Sequence, residues 1–293
     1  MVAVARSSSL RLVDVCRATL VGAAFVTGVA HAQVVVSASG AAPADITAAV
    51  NSYRTLLGTQ NPNVAGSFAS GRREINWDGV PDAFSAPNAF AADFFNANLP
   101  GRARGVEFST PGTGFQVSAN AVNPTATPVD FGNIDPAYSG FFSPFSAQKL
   151  FTGIGSNIVD VSFFVPGSAT PALTRGFGVV FGDVDLANVT SISFFDAGNT
   201  LLRTDFASPF AGTETFSFLG VDFGSAVVGR VRITNGNALL AAGQTVGDLV
   251  VMDDFIYGEP IAAIPEPEVS ALMLAGLGVL AATARRRRGA RRS

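Results

Sequence analysis

The sequence predicts a mainly β protein, an antiparallel β-sandwich with one short N-terminal helix. Three observations predict it. From residue 158 onward, apolar residues alternate with polar ones in short runs punctuated by Gly, Pro, Asn and Asp, the pattern of half-buried strands. Between residues 33 and 260 only Asp45–Leu57 carries convincing helical spacing. The chain also has 25 phenylalanines, all but Phe25 beyond residue 32, enough aromatic area to fill a core between two sheets.

Taken in order, residues 1–32 read as a signal peptide. Arg6, Arg11 and Arg17 precede an apolar run from Ala18 to Ala30, and Ala30-His31-Ala32 supplies the small-x-small exit, so cleavage is expected between Ala32 and Gln33. An ordinary buried helix is the alternative; the three parts in sequence favour the signal. Residues 33–260 then form the exported domain, with a loop-rich part at 33–157 and regular strands at 158–258. Gln33–Gly40 is a strand-forming start. Ile46, Val50, Tyr53 and Leu57 share one helix face, with Asp45 as N-cap and Gly58 as the stop. Strand candidates follow at Gly105–Ser109 and Phe115–Ala119, while Pro124 and Pro128 mark a loop.

Beyond residue 158 the strands are clearer. Val159, Val161, Phe163 and Val165 lie on one face of a strand ending at Pro166-Gly167, and Phe177–Phe181 is a buried run. Ile192 and Phe194 alternate with serines, and Ala197-Gly198-Asn199 turns the chain into Thr200–Phe206. Phe216 with Phe218, and Val231 with Ile233, continue the alternation, and Leu249–Tyr257 closes the set. Gly176, Gly178 and Gly182 lack the spacing, lysine and following helix of a phosphate loop and read as strand glycines where another backbone packs close.

Charge and residue types exclude several functions. Residues 33–267 hold 10 Lys and Arg against 20 Asp and Glu, a formal charge of −10 compared with −3 for the whole chain. That acidity argues against a nucleic-acid partner. Cys16 and His31 are the only cysteine and histidine, and both precede Gln33. The exported domain therefore has no disulfide, Cys/His zinc site, thiol nucleophile or imidazole base.

Residues 261–293 form a three-part tail: Pro265-Glu266-Pro267, an apolar helix at 269–284, and an Arg-rich end at 285–292 opened by Arg285, Arg286, Arg287 and Arg288. Sixteen helical residues reach about 24 Å, short of the roughly 30 Å hydrocarbon layer, but snorkelling arginines and local thinning accommodate a transmembrane helix. The arginines should stay cytoplasmic. This tail, with Ala275-Gly276-Leu277-Gly278 inside its apolar part, resembles the PEP-CTERM sorting signal of exopolysaccharide-producing bacteria; a plain tail anchor is the alternative. The resemblance implies export by the general secretion machinery and transient tethering at the inner membrane. An exosortase-type membrane protease would then cut near Pro-Glu-Pro, leaving the protein at the cell surface or in the extracellular (biofilm) matrix.

The segment Phe177–Tyr257 is similar to the jelly-roll half of several exported bacterial proteins. The similarity rests on Phe181-Gly182-Asp183-Val184-Asp185, Phe194-Phe195-Asp196-Ala197-Gly198, Ser217-Phe218-Leu219-Gly220-Val221 and Met252-Asp253-Asp254-Phe255. It supports a jelly-roll-like sandwich and carries no activity with it.

Two constellations are candidate sites. Asp183 and Asp185 would share a face of one strand, and Asp253 and Asp254 follow the last hydrophobic run, so the four are candidate ligands of a structural Ca²⁺. Alternatively they end strands, cap turns or pair with Arg230 and Arg232. Glu74, Trp77 and Asp78 form the other group: a ring on which a sugar stacks beside polar groups, or a core anchor. No catalytic residue is assigned and no cofactor beyond that Ca²⁺ is expected. The sequence thus reads as a non-catalytic exported surface or matrix protein with polysaccharide as candidate partner. The alternative is a secreted glycoside-active enzyme using Glu74 and Asp78 as paired carboxylates.

Overall fold

The computed structural model describes residues 32–121, 127–263 and 276–281. The signal segment 1–31, Pro265, Glu266, Pro267 and Arg285–Arg288 lie outside the described residues. Of the apolar tail segment, residues 276–281 are helical and exposed, and among the described residues no helix is long and apolar enough to cross a membrane.

The first part of the chain forms β1 (Val34–Gly40), α1 (Pro43–Leu57), β2 (Arg72–Ile75), β3 (Val106–Ser109), β4 (Gly114–Ala119) and β5 (Lys149–Ile154). There follow β6 (Ile158–Phe163), β7 (Ala172–Leu173), β8 (Gly176–Gly182), β9 (Ser191–Phe195) and β10 (Leu201–Phe206). The last strands are β11 (Phe216–Asp222), β12 (Arg230–Thr234), β13 (Val251–Gly258) and β14 (Ile261–Ala262).

One sheet runs β1-β11-β8-β13-β5-β4, with β2 also paired to β13, and the second runs β10-β9-β12-β6-β3. Strands β7 and β14 pair as a small separate ribbon. All ladders between these strands are antiparallel. Within the sheets, β5-β13-β8-β11 faces β6-β12-β9-β10, the strand order of two Greek keys wound into a jelly roll. Side chains of both sheets, including Val161, Phe163, Ile192 and Phe194 from one and Phe151, Phe177, Val179 and Phe255 from the other, share one core.

Burial explains why the two sheets have different sequence patterns. The second sheet has one wet face, and β12 alternates buried Val231 and Ile233 with half-buried Arg230, Arg232 and Thr234. Strands β8, β11 and β13 are buried at every residue because the first sheet is covered on both sides. On its outer face α1 packs Ile46, Val50, Tyr53 and Leu57 against Val180, Phe216, Phe218 and Ile256. Further along, loops bring Phe131, Tyr138, Phe142 and Leu240 onto Leu150 and Val251.

The strand glycines have a definite job. A methyl group at Gly178 would lie 2.8 Å from the Tyr53 ring, and one at Gly220 would lie 2.9 Å from it; these two glycines are register partners on β8 and β11. They form a seat for the ring, whose hydroxyl donates to the Val221 carbonyl at 2.8 Å. At Gly176 the expected close backbone is present, the Val221 carbonyl standing 2.5 Å from where a methyl would lie; at Gly178 the nearest neighbour is instead the tyrosine of α1.

Other expectations need correction at particular residues. Helix α1 begins two residues earlier than predicted, with Pro43 in its first turn. Asp45 is therefore not the N-cap. It lies in the first turn and its carboxylate accepts the Ala42 amide at 2.9 Å. Gly58 does stop the helix, at φ 96°, donating to the Arg54 and Thr55 carbonyls. The strand at 158 ends at Phe163 rather than Val165.

Candidate functional site

The Glu74–Trp77–Asp78 group starts at β2, where Arg72-Arg73-Glu74-Ile75 pairs with the end of β13. Trp77 follows in the left-handed region, φ 64°, which turns its side chain into the sandwich. It is 1% exposed and stacks on Phe151 at 4.0 Å and 5°. Phe90, Phe95 and Phe255 meet it edge-on, and its Nε1–H donates to the Asp253 carbonyl at 2.8 Å. Both faces and the polar edge of the indole are occupied, so the sugar-stacking expectation is corrected: Trp77 is a core residue.

The two carboxylates of that group serve different elements. Glu74 accepts from Arg54 of α1 at 2.9 Å and from Arg72 at 2.6 Å. Asp78 accepts the Gln148 and Lys149 amides at 3.0 and 3.1 Å and holds the start of β5. Burial raises the Asp78 pKa, and those two amide bonds oppose the rise. The groups bonded to Glu74 and to Asp78 are disjoint, and neither carboxylate accepts from a group that the other touches.

The four aspartates proposed for calcium likewise separate. Asp253 and Asp254 lie inside β13, within the predicted run Leu249–Tyr257, where the register against β8 shifts between Met252 and Phe255. Such a bulge places two residues opposite one. Asp253 accepts the Phe145 amide at 2.6 Å and the Ser146 amide at 3.0 Å, while Asp254 receives Arg54 at 2.8 Å. Burial, followed by the charge of Asp254, pushes the Asp253 carboxyl well above the usual range. These are structural anchors for α1 and the 145–146 turn.

Asp183 and Asp185 lie past the end of β8, so the strand argument for a shared face does not hold; Asp183 has φ 67°. Asp185 accepts the Gly212 amide at 2.9 Å. Asp183 is buried and its Oδ1 has no hydrogen-bond partner. Burial, then the charges of Asp185 and Asp248, lift its pKa to about 7. Arg230 and Arg232, the alternative partners, both pair with Asp160 at 2.6 and 2.8 Å. Among the described residues no group of three or more acidic, His or Cys side chains is arranged to hold a metal.

A cleft of about 500 Å³ is the concave feature that sequence reasoning missed. Loops from distant parts of the chain build it: Thr59 and Asn61 after α1, Ser70 before β2, Arg175 before β8, Ser225 after β11 and Glu259 after β13. Glu259 is fixed by Arg73 at 2.8 Å, both side chains nearly inaccessible, and by the Asn61 amide at 2.8 Å. Arg175 is held by Asp222, which raises the guanidinium pKa through their hydrogen bond. The cleft thus offers hydroxyl, amide and backbone groups on a rigid frame, suited to hydrogen-bonding a polar neutral ligand.

Ala32 and Gln33 lead into β1 as exposed, non-strand residues. At the other terminus, residues 263–288 match the family model of the PEP-CTERM protein-sorting motif. The chain carries a PEP-CTERM sorting motif. That match contains Pro265, Glu266 and Pro267, the apolar segment and Arg285–Arg288. A PEP-CTERM motif implies export, a membrane-held precursor, processing by an exosortase and sorting to the cell surface. No curated protein and no solved structure matches the chain.

Proposed function

We propose that this PEP-CTERM protein is a non-catalytic surface or matrix component whose sandwich binds polysaccharide in the cleft beside α1. The sorting motif at 263–288 carries the reading, since it implies a protein handed from the membrane to the cell exterior. The cleft supports the ligand class. Sugars are bound chiefly by hydrogen bonds to fixed polar groups, and a space of about 500 Å³ lies within the range of small-ligand pockets. The ionic side chains at its wall, Arg175 and Glu259, are already paired and act as its frame.

A glycan array probed with the purified exported protein tests the ligand. Binding is expected, and Ser225→Trp, at an exposed cleft position, should abolish it without changing the melting temperature. A blank array for the wild type would remove polysaccharide binding and leave a purely structural matrix role.

A further inference from the structure

We propose that the exported domain pairs with a second copy of itself along β1, strand to strand across a two-fold axis, through an apolar margin shared by β1 and β10.

A strand at the border of a sheet presents a row of unpaired N–H and C=O groups, and proteins usually cover or guard it. This molecule does so at three of the four ends of its two large sheets. Beside β4, the Ala86 and Phe90 amides donate to the Val117 and Phe115 carbonyls at 2.7 and 2.9 Å. Beside β3, the Phe108 amide donates to the Ala92 carbonyl at 3.0 Å. Strand β10 has a register shift between Leu201 and Arg203, and Arg203 and Asp205 are register partners of the core residues Phe194 and Ile192. Direct partners share a face, so β10 carries two inward-pointing charges, bonded to each other at 2.6 Å, that deter a further strand.

The fourth border, β1, is left open. Its seven residues pair with β11 in unbroken register and include no Pro and no charged side chain. Among the described residues no backbone is bonded to β1 on the side away from β11. Val34 and Val35 are exposed, the latter at 40%. The two strands meet on one side of the sandwich: the Arg203 guanidinium donates to Gln33 Oε1 at 2.9 Å, and the Ser37 and Ser208 hydroxyls bond at 2.9 Å. Leu201, Leu202 and Phe206 of β10, and Phe210 just after it, are exposed as well. With the two valines they give this side the apolar character of an interaction surface.

Charge and symmetry select the occupant. Residues 33–267 carry a formal charge of −10, so two copies repel unless they meet through an uncharged surface. Here the charged side chains of the two strands, Arg203 and Asp205, cancel. An antiparallel strand pair is its own two-fold mate, so one open edge satisfies both copies and the assembly closes. About 24 Å of strand on a sandwich about 20 Å deep buries roughly 500 Å² per copy. The total of about 1,000 Å² is the low end for a specific interface, so the dimer is reversible and concentration-dependent.

Sedimentation of the exported protein recovered from outside the cells, from about 1 to about 200 µM, tests the pairing, with hydrogen exchange of β1 as a second reading. A dimer should grow in with concentration and strengthen in ~0.5 M NaCl, which screens the like charges. Val35→Glu and Phe206→Glu, both at exposed positions, should each weaken it at least about tenfold with the melting temperature unchanged. Leu99→Glu, at a residue 52% exposed in the loop leading to β3, should leave it intact. Dimerisation should also slow exchange of the β1 amides that point away from β11. A monomer at every concentration would overturn the proposal, as would a dimer indifferent to both Val35→Glu and Phe206→Glu. Slow β1 exchange already present in the monomer would overturn it too, because a segment of the same chain would then cover the edge.

Discussion

At the scale of single residues, the buried charges decide most. Arg73 is fully buried and donates to Glu259, 186 residues away, as well as to the Gly66 carbonyl. It ties the 60–71 loop to the end of β13. Removing one member of such a pair leaves the other uncompensated, so Glu259→Ala should cost about 3–5 kcal/mol in urea unfolding. Arg232→Ala, at a side chain 42% exposed, should cost under about 1 kcal/mol. Asp130 and Asp183 set a pH dependence. Their folded pKa values of about 7 lie above the unfolded value of about 3.9, so the folded state holds more protons between those limits. The protein should therefore lose stability as pH rises from about 4 to about 7, and Asp183→Asn should flatten part of that slope. Melting temperatures across that window check the sign.

At the scale of elements, the helix seat on the first sheet is the feature most sensitive to small changes. Gly220→Ala drives a methyl into the Tyr53 ring and should cost about 1–3 kcal/mol. Tyr53→Phe keeps the ring and strands the Val221 carbonyl, at a cost of about 1 kcal/mol. Equilibrium unfolding of both variants separates packing from hydrogen bonding. Elements with a single wet face were readable in the sequence, because alternation survives there: β6, β9 and β12 were all anticipated. Strands β2 and β5 were not. Strand β5 is buried at five of its six residues and shows no alternation, and β2 begins with two arginines: Arg72 pairs with Glu74 in the same strand, but Glu259, the partner of Arg73, is brought near only by the fold. The bulge that seats Asp253 and Asp254 within β13 was hidden for the same reason, since its compensating donors lie at 54 and 145–146.

At the scale of the whole molecule, local patterns revealed the sandwich, and long-range pairings determined which residues remain free to act. Trp77 with its polar neighbours looks like a ligand platform in sequence. It becomes core because Phe151 and Phe255, far along the chain, close over it. The cleft had no sequence signal, since its walls come from four separate loops and use ordinary residues such as Thr59, Ser70 and Ser225. The sorting tail was readable because its order is local and depends on no fold. Export handling is the claim to test first. The decisive measurement is the intact mass of the protein recovered from outside the cells. It should correspond to a chain beginning near Gln33 and ending near Pro267, within the matched segment. A mass that retains Arg285–Ser293 would contradict exosortase processing.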